Sequence, residues 1–153
     1  MSEIIVRSME TMEEIVAAEG IQRAAWSMTD IEIIPAHALH AMQHSGAVLL
    51  GAFDGERLVG FNFGVLGTEE NPQRIDQVAA ARLKMYSVIT GVLPEYRSHD
   101  VGYRLKMAQR DFALRIGVRL ITWTYDPLES LNARFNIGKL GAVCHRYLRH
   151  FHG

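Results

Sequence analysis

The residues best placed to do chemistry lie between Thr90 and Arg104, in the string TGVLPEYRSHDVGYR. Two guanidinium groups, Arg97 and Arg104, flank a short polar turn that also carries Gly102. Arginine pairs with phosphate through parallel hydrogen bonds, and a glycine lets backbone come close to a bulky anion. The turn therefore suits a phosphate group. For that chemistry it must join a strand to a helix N-terminus, whose first N–H groups lack intrahelical partners and carry partial positive charge.

Both elements are legible. Leu83 to Val92 (LKMYSVITGV) is β-branched and aromatic and reads as a strand, which Pro94 stops because proline gives no N–H to a sheet ladder. Val101 to Ile116 reads as a helix with an apolar stripe of Val101, Leu105, Ala108, Phe112, Leu114 and Ile116. A plainer account makes the segment a strand–turn–helix connection in which Asp100 caps the helix. Physics alone leaves the two readings level, because short phosphate-loop motifs give many false matches.

The wider string decides between them. Val92, Pro94, Glu95, Tyr96, Arg97 and Gly102 resemble the acyl-CoA motif of the GNAT acetyltransferase superfamily, written V-x-P-x-x-R-x-x-G-x-G. The sequence departs at Asp100, where the family has glycine. The resemblance implies acetyl-CoA or another acyl-CoA as co-substrate. Its pyrophosphate and pantetheine arm would be held by Gly91, Val92, Leu93, Arg97, Ser98, His99, Asp100, Val101, Gly102 and Tyr103, joined by Ser130 and Asn132 from a later helix. It implies direct attack of an amine of unknown identity on the thioester, with a backbone N–H near Gly91 or Val92 facing the oxyanion.

The remaining roles are less marked. The base is Glu129, or water held by Tyr86 and Asp126; the acid is Tyr125, Tyr147 or His145, or none. Tyrosines on strands are also common core residues, and Glu129 also suits a helix start. Many family enzymes use a tyrosine in N-x-x-A-x-x-x-Y-x-x-x-G as the acid. Aligning Lys139-Leu140-Gly141 with the family's K-L-G puts Ser130 on the asparagine, Ala133 on the alanine and Ile137 on that tyrosine. Ile137 has no proton to give. Asp100 and Ile137 thus favour a competing reading, a catalytically silent GNAT-like domain acting as a CoA-sensing or protein-interaction module. His37, His40 and His44 share one helical face, but no carboxylate is placed beside them by sequence, so a polar rim is expected there and no metal.

The other elements follow in order. Glu3 to Ser8 is a short strand, and Thr11 with Glu14 forms a capping box opening a helix through Trp26. A second helix runs from Pro35 to Ser45. Ala47–Asp54 and Arg57–Leu66 flank a hairpin at Asp54-Gly55, and their apolar content calls for cover on both faces. Thr68 to Asp76 is an exposed loop. Val118 to Tyr125 is a strand, Ser130 to Leu140 a helix, and Ala142 to Phe151 a last strand. The order β-α-α-β-β-β-α-β-α-β gives an α/β fold, GNAT-like, with a mixed sheet flanked by helices.

Composition sets the frame. The chain of 153 residues is expected to form a single domain, with 48% hydrophobic residues and a formal charge of −1 that argues against nucleic acid as partner. One cysteine, Cys144, excludes an internal disulfide framework and suits a reducing compartment. The N-terminus has no apolar leader and no run spans a bilayer, so the expectation is cytoplasmic, with no membrane partner. Only a dozen residues follow Gly141, where the family usually has two more strands. Either the chain is the N-terminal part of a longer protein, or an open sheet edge pairs with a second copy as a homodimer.

Overall fold

The structure, a computed structural model, describes residues 3–68, 83–97 and 99–149. Ser98, the loop after Thr68 and the end of the expected last strand lie outside the described residues. The chain falls into two compact units, one ending at Trp123 and one beginning at Thr124.

The first unit is built on five strands in the order β1-β2-β3-β4-β5. They are β1 (Ile4–Ser8), β2 (Val48–Asp54), β3 (Arg57–Thr68), β4 (Leu83–Val92) and β5 (Ile121–Thr122). β1 to β4 pair antiparallel; β5 lies parallel to β4 through Met85–Ile121 and Tyr86–Thr122. Helices α1 (Met12–Trp26) and α2 (Ala36–His44) precede β2, and α3 (Val101–Arg115) links β4 to β5.

The α1 start is as expected. Glu14 N–H donates to Thr11 Oγ1 at 3.3 Å while the Glu14 carboxylate accepts from the Thr11 and Glu10 N–H groups. Arg7 holds the same carboxylate with both terminal nitrogens, and that bond, more than any other cause, lowers the Glu14 pKa to about 2. The Asp54-Gly55 hairpin also forms, with Gly55 at φ 61° and Asp54 facing Arg57.

Two hydrophobic clusters cover the sheet. Ile15, Ala18 and Ile21 of α1 and Leu39 of α2 pack with Leu49, Phe53, Phe61 and Phe63; Val101, Leu105 and Ala113 of α3 pack with Val48, Leu50, Ala52, Val59 and Met85. Alternate residues of β2 thus go to opposite clusters, which is why the strand is apolar along its length.

Three expectations are corrected. β5 spans two residues rather than Val118 to Tyr125. Leu114 of α3 and Ile116 just after it are about half exposed, whereas Lys106 and Gln109 are buried. The last strand does not form over residues 142–149. In the second unit α4 (Ser130–Ala133) runs into a π-helical stretch, Arg134–Lys139, and the following residues are mostly exposed. A strand is stable only against a partner edge, and the described residues of this unit contain no other strand.

Candidate functional site

Where β4 and β5 part, the sheet opens. Their pairing ends at Tyr86 and Thr122, yet β4 continues to Val92 against β3. A register shift between Phe63 and Gly64 skips Val88, which leaves an extra residue on β4. That bulge changes which groups face outward. Before it, Met85 N–H donates to Leu120 O on the β5 side at 2.9 Å; beyond it, Leu93 N–H donates to Val59 O on β3 at 2.9 Å. Successive N–H groups of a strand point to opposite edges, so those of Thr90 and Val92 face away from β3, into the opening, and that of Gly91 faces β3.

Gly91 has another part. A Cβ at this position would stand 2.8 Å from the Trp26 ring and 3.1 Å from Ile21 Cγ2. The absence of a side chain lets the end of α1 close directly on β4 beside the opening.

The turn that follows is tied down by the very residues that carry the motif. Pro94 begins a 3-10 turn through Tyr96. Glu95 pairs with Arg57 at 2.8 Å, and the buried Tyr96 hydroxyl donates to Asp54 Oδ2 at 2.9 Å. Arg97 Nη2 donates to Ala25 O at 2.8 Å, near the C-terminus of α1, where a cation is favoured. His99 N–H donates to Tyr96 O at 3.2 Å, and the two rings lie 6.1 Å apart. The loop is held to the β2–β3 hairpin and to α1 from three directions, so it is preshaped.

Asp100 stands at the start of α3, but the expected cap is absent. Its backbone is left-handed, at φ 58° and ψ 12°, and its carboxylate makes no capping hydrogen bond. A capping side chain normally works from an extended backbone, which aims it back at the N2 and N3 amides. The left-handed geometry also explains why a glycine suits this position, and Asp is one of the few other residues that tolerate it. The helical ladder begins with Arg104 N–H donating to Asp100 O at 2.9 Å. Val101 is fully buried against the core, while Gly102 and Tyr103 are half-buried.

A polar network lies under β4 that the sequence reading missed. Asn62 of β3 is fully buried, and its Nδ2 lies 2.7 Å from Thr90 Oγ1, 3.2 Å from Ser87 Oγ and 3.3 Å from Gln109 Oε1. Lys106 Nζ donates to Ser87 Oγ at 2.7 Å and stands 4.3 Å from the Trp123 ring centroid. Burial pushes the Lys106 pKa down to about 7. The available signal was a polar pair, Lys106 and Gln109, adjoining the apolar stripe at helical spacing.

The other candidates lie on other elements. In the second unit Glu129 is the exposed residue preceding α4, Ser130 and Asn132 are exposed on it, and Tyr125 is half-buried. Ile137 is 45% exposed. On α2, the His40 and His44 rings meet edge to face at 4.5 Å. No group of three or more His, Cys, Asp or Glu among the described residues could hold a metal ion, and no helix there is long and apolar enough to cross a membrane.

A curled sheet whose β4 and β5 run parallel and then separate, with a helix starting beside the opening, defines the GNAT acetyltransferase fold, and this chain has it. The aminoglycoside N-acetyltransferase AAC(6')-Iy, in complex with the bisubstrate analogue CoA-S-monomethyl-acetylneamine, matches with a TM-score of 0.77. That match covers 98% of this chain and 97% of the other at 14% identity. An aminoglycoside 6'-N-acetyltransferase from Acinetobacter baumannii matches at 0.71, over 97% of both chains and 12% identity. A transcriptional regulator from Bacillus halodurans matches at 0.73, over 97% of this chain and 100% of that one, at 17% identity. No family profile matches the sequence, and no curated protein matches it either. Likeness at such identities speaks for the fold, which by itself carries many functions.

Proposed function

We propose that the protein is an acyl-CoA-dependent acyltransferase that passes an acyl group to an amine. The observation that carries this reading is the opening above Tyr86 and Thr122, where β4 runs on alone to Val92 and turns its Thr90 and Val92 N–H groups outward. An extended pantetheine arm fits such an edge as a further strand would, and the thioester oxygen then meets a fixed donor. The start of α3 adjoins the end of β4 and offers its dipole to the pyrophosphate, with Gly102 giving close approach. The neighbours support the same donor, since AAC(6')-Iy is seen in complex with CoA.

The reaction is direct transfer. The neutral amine nitrogen attacks the thioester carbonyl carbon, the C–N bond forms and the C–S bond breaks. The proton lost by the amine ends on the departing thiolate. The residues that the family resemblance offers as base and acid are Glu129, or water held by Tyr86 and Asp126, and Tyr125, Tyr147 or His145, or none. Arg97, spent in part on Ala25 O, acts chiefly by holding the loop. The acceptor is an amine, as it is for the neighbouring aminoglycoside N-acetyltransferases.

Thermal unfolding with acetyl-CoA tests the donor. A ligand bound at 100 times its Kd stabilises by about 2.7 kcal/mol, which for a chain of this size raises the Tm by about 5–10 °C. Gly102→Val should remove the shift. No shift at millimolar acetyl-CoA refutes the reading.

A further inference from the structure

Lys106 is a buried cation in the wrong place for a merely structural one. It is 8% exposed, and among the described residues no carboxylate pairs with it. Its Nζ carries three N–H groups, of which one reaches Ser87 Oγ at 2.7 Å, while the Trp123 ring faces the charge at 4.3 Å. Ser87 Oγ already accepts from Asn62 Nδ2 at 3.2 Å, so neither partner supplies a counter-charge. Burying an unpaired charge is strongly unfavourable, and a carboxylate placed against it restores the ammonium form that burial suppresses.

The position says where that carboxylate comes from. Ser87 and Trp123 directly follow Tyr86 and Thr122, the last paired residues of β4 and β5. Lys106 therefore sits from the α3 side at the point where the opening closes. Of the two outward N–H groups, that of Thr90 is the nearer to Ser87; on the acyl-CoA reading, with the thioester oxygen held there, the acyl chain runs down β4 toward Ser87. At about 3.3 Å per residue, with Val88 bulged, that distance is about 7–10 Å. An acetyl methyl reaches only about 1.5 Å past its carbonyl carbon. A four-carbon chain extends about 4 Å, and a hydrogen bond of about 2.8 Å completes the reach.

We propose that Lys106 determines donor specificity, and that the preferred donor is a coenzyme A thioester of a dicarboxylic acid of about four carbons, whose free carboxylate pairs with Lys106 Nζ. This rests on the acyl-CoA reading above. The bonds made and broken at the thioester are unchanged, and the product amide carries the free carboxylate. An arriving carboxylate favours the ammonium form that burial disfavours.

Calorimetric titration with CoA, acetyl-CoA and succinyl-CoA tests this on the wild type, Lys106→Met and Lys106→Gln. The wild type should bind succinyl-CoA about tenfold or more tightly than acetyl-CoA, and the ratio should fall to near one in both variants. The same ratio should appear in kcat/KM for thiol release with a polyamine acceptor. Equal affinity of the wild type for the two thioesters overturns the proposal, as does a preference that survives in both variants. If none of the three ligands binds the wild type, the acyl-CoA reading itself fails and takes this one with it.

Discussion

Replacing Lys106 with Met should stabilise the protein, and more at neutral than at alkaline pH. In the folded state burial lowers the Lys106 pKa from 10.5 to about 7. In the unfolded chain it returns to about 10.4. Between those values the unfolded state binds more protons than the folded one, so native stability rises with pH across that window. Below about 7 the full penalty of a buried ammonium is present. Each pH unit inside the window is worth about 1.36 kcal/mol. The Trp123 ring favours the ammonium by about 1 kcal/mol, which moves the lower edge up by less than one unit. About 2 kcal/mol therefore remains between pH 7 and pH 9. Methionine has nearly the same reach and fills the space without a charge. The advantage of Lys106→Met over wild type should then shrink by about 2 kcal/mol from pH 7 to pH 9, read from urea unfolding by circular dichroism. Other titrations are common to both proteins and cancel in the difference. A difference that does not change with pH would show that Lys106 keeps its ordinary pKa, and the reasoning from burial would be wrong.

Three further outcomes are expected. Asp100→Gly relieves a left-handed residue that contributes no cap, so it should gain about 0.5–1 kcal/mol, read as a Tm raised by about 1–4 °C; a lower Tm would mean that the carboxylate holds the turn. Gly91→Ala places a methyl 2.8 Å from the Trp26 ring and should cost about 1–3 kcal/mol with a shift in tryptophan emission, whereas unchanged emission would contradict the packing. The Glu14 carboxyl, lowered from 4.5 to about 2, stabilises the fold above pH 4.5 and loses that effect as pH falls toward 2. Because the Arg7 side chain is 40% exposed, the effect is about 1–2 kcal/mol, and Glu14→Gln should remove it from the acid limb of a urea-midpoint profile.

Local rules carried far along this chain. The capping box at Thr11 and Glu14, the stop at Pro94 and the hairpin at Gly55 all depend on residues within a few positions of one another. The strands β2 and β3 announced two covered faces by their apolar content alone. What failed were the judgements that need a partner. Val118 to Tyr125 has the composition of a long strand but pairs only at Ile121 and Thr122. Residues 142–149 have the composition of a strand, but among the described residues they pair with none. Lys106 and Gln109 escaped notice because a charged residue on a helix is ordinarily solvated. Glycines across the layer let α3 close on the sheet: a Cβ on Gly64 would stand 2.6 Å from Gln109 Nε2, and one on Gly60 would meet Val101 and Leu105 at 3.0 and 3.3 Å. The space for the Gln109 side chain is made by β3, more than forty residues away in sequence, and no spacing rule reports it.

The motif string repays the same scrutiny. Its resemblance rests on Val92, Pro94, Glu95, Tyr96, Arg97 and Gly102, and three of these spend their side chains on the protein itself. Glu95 goes to Arg57, Tyr96 to Asp54 and Arg97 to the end of α1. Such residues fix a loop whose working parts, on the acyl-CoA reading, are backbone amides, and amides are blind to side-chain identity as long as the conformation holds. Asp100 fits that account: it departs from the family's glycine yet adopts the left-handed backbone that glycine would supply. A sequence comparison scores the side chains, whereas the proposed binding surface is made of N–H groups. This is why a chain at 12–17% identity to its structural neighbours can share their fold across nearly its whole length. On the proposed function, donor choice is then sought in side chains beside the opening, and Lys106 holds Ser87, which follows the last paired residue of β4.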